Sequence, residues 1–149
     1  MDSTELWSNR DTRSNYHSIL VLDDELDIVT MIKMGLQKNF NVCAFTDPIL
    51  ALEYFEANAA SFDLVISDLR MPRMNGFEFI MKVKEIKPNV KVFIMTASEI
   101  NDFESSRLLL LPDVPIDELI QKPMSIRSLN IMIENQINGL RNPIVANVL

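Results

Sequence analysis

Five residues of this chain carry chemistry that packing alone does not explain: the paired Asp23 and Asp24, then Asp68, Thr96 and Lys122. Each stands at the end of a short apolar run: SILVL before the aspartate pair, FDLVIS before Asp68, VKVFIM before Thr96 and ELIQ before Lys122. Three neighbouring carboxylates repel one another unless a cation lies between them. Ligands that are all oxygen suit a hard cation, and a small cluster with room for water and a phosphate oxygen suits Mg2+. A hydroxyl and an ammonium alongside are the groups that hold the other oxygens of a phosphoryl group. The chemistry so implied is phosphoryl transfer onto a carboxylate, giving an acyl phosphate. Asp68 is the candidate acceptor because it stands alone, whereas Asp23 and Asp24 form a pair suited to the metal.

Singly, each of these residues has a plainer reading. An Asp-Asp pair after a strand is commonly a turn or a helix cap. A threonine in a strand is unremarkable, and a lone lysine is usually solvated. The set carries weight only if the chain delivers all five to one place, and the surrounding pattern says that it does. SILVL (18–22) reads as a buried parallel strand, followed over Glu25 to Lys38 by a helix with Ile28, Met31, Ile32 and Leu36 on one face. NVCAF (41–45) is a second strand, and Asp47-Pro48 starts a helix lined by Ile49, Leu52 and Phe55. FDLVIS (62–67) is a third strand, followed by a helix from Phe77 to Ile86 that ends before Pro88. VKVFIMT (90–96) and ELIQK (118–122) complete the strands; between them a helix over 99–111 is cut off by the prolines of LPDVP. Ser125 caps a last helix with Ile126, Leu129, Ile133, Ile137 and Leu140 along one side.

Alternating strands and helices specify an α/β fold, a parallel sheet with helices on both faces, because parallel strands need crossover connections. Ligands of such a sheet bind beyond the carboxyl ends of its strands. That is where all five residues fall. Residues 1–17 read as a polar N-terminal arm, 18–140 as one domain and 141–149 as a tail too short for another.

With 149 residues, 48% of them hydrophobic, the chain can bury a sizeable core. A formal charge of −7 argues against direct nucleic-acid binding, which needs a basic face. One cysteine, Cys43, leaves no internal disulfide to form, and no run approaches the length of a membrane-spanning helix. These features lead us to expect a soluble cytoplasmic domain without membrane insertion. Cys43 reads as a small core residue. His17, the single histidine, reads as solvated, and Trp7 as an indole that could anchor a contact.

The stretches LVLDDE, LVISDLRMPRMNGFEF, VFIMTAS and QKP, in this order over residues 18–138, resemble the receiver domain of two-component response regulators. The resemblance implies a flavodoxin-like, doubly wound sheet of five strands in the order 2-1-3-4-5. It implies that Asp68 is the phospho-acceptor and that Asp23 and Asp24 hold Mg2+, with the backbone carbonyl of Arg70 completing the protein's share of the metal shell. Thr96 would hydrogen-bond the phosphoryl group, Lys122 would pair with it, and the Lys122-Pro123 bond would be cis. The implied partners are a sensor histidine kinase or phosphotransfer protein and a downstream protein, with a dimer on phosphorylation as a further family trait. Such a domain catalyses only its own phosphorylation and dephosphorylation. Arg70 and Ser98 would border the entrance to the phosphoryl group.

The chain departs from the family in one region. Receivers commonly carry an aromatic residue three positions before the lysine, where this chain has Leu119, and a Gly-Ala loop ahead of it, where this chain has LLLLPDVPIDE. An alternative therefore stays open: a receiver-like interaction module that no longer switches on phosphorylation. A dehalogenase-type phosphatase would need an acid where Arg70 stands, and a nucleotide-binding domain would need glycines where DDELD follows the first strand.

Overall fold

The computed structural model describes residues 15–97 and 116–138. Trp7, Ser98, the expected helix over 99–111, the LPDVP loop and the C-terminal tail lie outside the described residues. The described chain forms five strands, β1 (Ser18–Leu22), β2 (Asn41–Phe45), β3 (Phe62–Asp68), β4 (Lys91–Thr96) and β5 (Glu118–Gln121). All pair in parallel, in the order β2-β1-β3-β4-β5. Between and after them lie helices α1 (Leu26–Leu36), α2 (Pro48–Asn58), α3 (Gly76–Ile86) and α4 (Ile126–Asn138), with a 3-10 turn at Ala59–Ser61. The expected doubly wound α/β architecture is what forms.

The strands read as continuous apolar runs because both of their faces are covered. Leu20, Leu22, Val65, Val92 and Ile94 point to one side, where they meet Ala51 and Phe55 of α2 and Phe79, Ile80 and Val83 of α3. Ile19, Val21, Ile66, Phe93 and Met95 point to the other, against Val29, Ile32 and Leu36 of α1 and Leu129 and Ile133 of α4. Each fully buried phenylalanine contributes on the order of 1.5–3 kcal/mol; Phe55 and Phe79 pin their helices in this way.

Helix starts follow the side chains available. Asp47 Oδ1 accepts from the Ile49 amide at 2.9 Å, Asn75 Oδ1 from Glu78 at 2.8 Å and Ser125 Oγ from Ser128 at 3.0 Å. Two helix faces differ from expectation. Met31 is 49% exposed, because the inward stripe of α1 is Val29, Ile32 and Leu36, which follows the 3.6-residue repeat more closely. Ile49 is likewise exposed; the small Ala51 takes the inward position and lets α2 approach the sheet, with Phe55 one turn on. Leu140 of the last helix lies outside the described residues.

His17 also differs. It is half-buried, and its Nδ1 lies 3.1 Å from Asp63 Oδ2, which accepts the Ser18 amide as well. The pairing of Ser18 with Phe62 brings these distant positions together. Cys43 is buried on β2, as expected. Among the described residues no helix is long and apolar enough to cross a membrane.

Candidate functional site

The site stands on strand ends. β1 stops at Leu22 and releases Asp23 and Asp24; β3 ends in Asp68, β4 in Thr96, and Lys122 follows β5. Parallel pairing puts these ends on one edge of the sheet. Asp23, Asp68 and Thr96 are buried, whereas Asp24 is exposed. Carboxylate oxygens of Asp23, Asp24 and Asp68 all lie within 4.8 Å of one another.

A buried carboxylate must be paired and hydrogen-bonded to stay charged, and Asp23 is both. Its Oδ1 accepts from the Glu25 amide at 3.0 Å and its Oδ2 from Lys122 Nζ at 2.6 Å. The same ammonium reaches Asp68 Oδ1 at 3.0 Å, so one lysine bridges two acids. The Lys122 amide donates to the Thr96 carbonyl at 2.8 Å, and the following Lys122-Pro123 bond is cis, as expected.

Asp68 is held through its backbone. The Leu69 amide donates to Met95 O at 2.8 Å, Ser67 Oγ to Asp68 O at 2.9 Å, and the Gly76 amide returns to Leu69 O at 2.7 Å. Gly76 has no alternative residue here, since a Cβ on it would stand 2.0 Å from Asp68 O. Proline, asparagine and glycine in MPRMNG thus turn the chain back so that α3 starts against the aspartate that β3 has just delivered.

Three carboxylates crowd together here, with the Lys122 ammonium bonded to two of them and Arg70 also in the lining. Burial, then the charges of Asp23 and Asp24, push the Asp68 carboxyl above the usual carboxylate range, against the pull of Lys122. For Lys122, burial works to lower the ammonium, but the hydrogen bonds and charges of Asp23 and Asp68 outweigh it and raise its pKa. The cluster is made of hard oxygen donors, short of positive charge and open on one side. It fits a small divalent cation such as Mg2+. An open pocket over it is lined by Asp24, Glu25, Asp68, Arg70, Thr96, Ala97 and Lys122.

Asp24, Asp68, Arg70, Thr96 and Lys122 converge on this pocket, with Asp23 beneath it, while Ser98 lies outside the described residues. Glu25 and Ala97 were missed. Glu25 continues the acidic run after β1 and could have been included on that ground; Ala97 carries no chemical signal. Leu119, where receivers commonly have an aromatic residue, is half-buried and packs on the cluster beneath α2 and α3.

The family model described as the response regulator receiver domain matches residues 19–134. The chain belongs to that family. It is 30% identical over 113 residues to the alkaline phosphatase synthesis transcriptional regulatory protein PhoP of Bacillus subtilis, a match covering 75% of this chain and 45% of PhoP. It thus spans less than half the length of that curated relative. A solved receiver domain protein from Clostridium thermocellum superposes with a TM-score of 0.73 at 30% identity, covering 83% of this chain and 96% of that one. A BeF3-activated receiver domain of DrrB, a Thermotoga maritima protein, superposes with a TM-score of 0.67 at 25% identity, over 80% of this chain and 96% of that domain. This receiver domain therefore shares both its fold and its family with proteins of two-component signalling, and receivers as a family bind Mg2+ in an acidic pocket like the one seen here.

Proposed function

We propose that this receiver takes a phosphoryl group onto Asp68 from the phosphohistidine of a sensor histidine kinase or phosphotransfer protein, and signals by changing its affinity for a downstream protein. The observation that carries this reading is Lys122 Nζ at 3.0 Å from Asp68 Oδ1, in a pocket that Thr96 and Arg70 also line. A carboxylate oxygen of Asp68 attacks phosphorus, the P–N bond to the donor imidazole breaks, and the imidazole leaves with the bonding pair. Lys122, kept charged by its two acids, pairs with a phosphoryl oxygen, and the Thr96 hydroxyl donates to another. Asp23, Asp24 and Asp68, with the backbone carbonyl of Arg70, would hold Mg2+. The bound ion supplies positive charge against the carboxylates and the incoming phosphoryl oxygens. BeF3, the activator of the DrrB neighbour, becomes tetrahedral and stays anionic when an oxygen binds its beryllium, as a phosphoryl group is on a carboxylate, which supports the same chemistry here.

The switching unit in this reading is residues 18–140, in a cytoplasmic setting. Water attacking the phosphorus of the acyl phosphate returns the carboxylate. Arg70 lines the pocket, and in this reading its side chain acts on that step. Arg70→Ala is expected to change the lifetime of the phosphorylated state with little change in Mg2+ affinity, because the backbone carbonyl remains; equal decay rates would remove Arg70 from the mechanism.

The test is intact-mass analysis after incubation with acetyl phosphate, with and without Mg2+, on the wild type and Asp68→Asn. One added phosphoryl group, dependent on the metal and absent from the variant, is the expected result. A folded protein that takes no adduct would favour a constitutive interaction module, the reading that Leu119 on β5 keeps in play.

A further inference from the structure

Arg73 is the one non-glycine residue among the described residues with a positive φ, 71°. A side chain in that region is uncommon and strained, and such strain persists only where the surroundings impose it. The surroundings are clear. Leu69 is fixed to β4, Met71 packs on the core, Met74 is buried with its amide on Pro72 O at 2.8 Å, and Gly76 closes back onto Leu69. The chain is pinned on both sides of Arg73 and must reverse at that point.

Glycine would make this reversal without strain, so an arginine here calls for a use of its side chain. Arg73 Nη2 lies 2.9 Å from Asp47 Oδ2, while Asp47 Oδ1 accepts from the Ile49 amide at 2.9 Å. One carboxylate thus caps α2 and holds the loop that carries Arg70.

We propose that Arg73 and Asp47 are a positioning pair: they latch the loop of residues 70–75 so that Arg70, which lines the pocket with Asp24 and Asp68, can offer its backbone carbonyl to the ion, and so strengthen divalent-cation binding at a distance from it. This deepens the reading above and rests on these groups forming the cation site. Neither side chain touches the ion. Their action is through the path of the loop.

Charge alone makes the opposite prediction for one of the two residues. Removing a cationic side chain near a cation site tightens binding, and removing an anionic one weakens it. The latch weakens binding when either is lost. Mg2+ titrations at fixed ionic strength, followed by isothermal calorimetry and amide NMR, would compare the wild type with Arg73→Ala, Asp47→Asn, the double variant, Arg73→Gly and Asp68→Asn. Asp47→Asn keeps an oxygen to cap α2, and melting in EDTA verifies that each variant is folded. We expect Arg73→Ala and Asp47→Asn each to raise the Kd about tenfold, and the double variant to be no worse than either. Arg73→Gly relieves the strain but also loses the bond to Asp47, so it too should bind Mg2+ more weakly than the wild type, and wild-type affinity in it would overturn the latch. Arg73→Ala binding Mg2+ as tightly as the wild type, or more tightly, overturns the latch. Asp68→Asn binding like the wild type would instead overturn the cation site itself, and the latch with it.

Discussion

The two edges of the sheet handle charge in opposite ways. At the amino ends of the strands, charged groups are matched locally. Asp63 takes His17 and the Ser18 amide, and Asp117 takes Lys91 and the Val92 amide. Lys84 and Lys87 deliver their ammonium groups to the backbone carbonyls of Val90 and Phe62, just ahead of β4 and at the start of β3. At the carboxyl ends, three acids crowd together with Lys122 bonded to two of them, and the loop beside them holds a residue in left-handed backbone. One edge closes the fold. The other leaves charge uncompensated where a cation and a phosphoryl group can complete it, and electrostatic strain at one edge is tolerated because packing on both faces of the sheet holds the strands.

Gly76→Ala should break this contrast with the largest effect. The added methyl meets the Asp68 carbonyl, which is backbone and cannot swing aside, so either β3 or the start of α3 must move. We expect a loss of about 2–3 kcal/mol in urea denaturation, together with weakened Mg2+ binding. Unchanged stability would mean that the loop has room that the geometry does not show.

Asp68→Asn sharpens the comparison from the other side. An acid whose folded pKa lies above its unfolded value makes the folded state bind the proton more tightly. Stability then falls as pH rises from the ordinary carboxylate range through the folded pKa, and the loss is complete above it. Burial and the neighbouring acids place Asp68 in this class. In EDTA at neutral pH the asparagine variant should therefore melt a few degrees higher than the wild type, by less than the Gly76 change, with a flatter pH profile above the ordinary carboxylate range. Adding Mg2+ should reverse the order, since ligand at a hundred times its Kd adds about 2.7 kcal/mol to the protein that binds it. A variant that is less stable than the wild type in EDTA would show that the bond to Lys122 outweighs the repulsion.

Most of the chemical edge was legible in the sequence and most of the closing edge was not. The acids, Thr96 and Lys122 follow apolar runs directly, so a parallel sheet had to gather them. By contrast, His17 and Asp63 meet only through the register of β1 on β3, which no local pattern encodes. The proline, asparagine and glycine of MPRMNG are residues of a turn, but Gly76 is needed for the space beside Asp68 O, and the left-handed residue is Arg73. Helical faces were readable to within one or two residues, since an amphipathic stripe is wide and an exposed Met31 beside a buried Ile32 is decided by how α1 settles on the sheet.

The smallest expected effect belongs to the closing edge. Asp63→Ala removes the partner of His17 and the acceptor of the Ser18 amide, both partly exposed to water. Solvent can replace much of what is lost, so the cost should be about 0.5–1 kcal/mol. Because Asp63 stands at the start of β3 and Asp68 at its end, Mg2+ affinity and the yield of phosphorylated protein should stay at wild-type values. Hydrogen exchange would localise the change: the Ser18 amide and the first pairs of β1 should exchange faster, and the amides around Asp68 should not. A weakened cation site in this variant would mean that strain passes along β3 from one edge to the other, and that the two edges are not energetically separate.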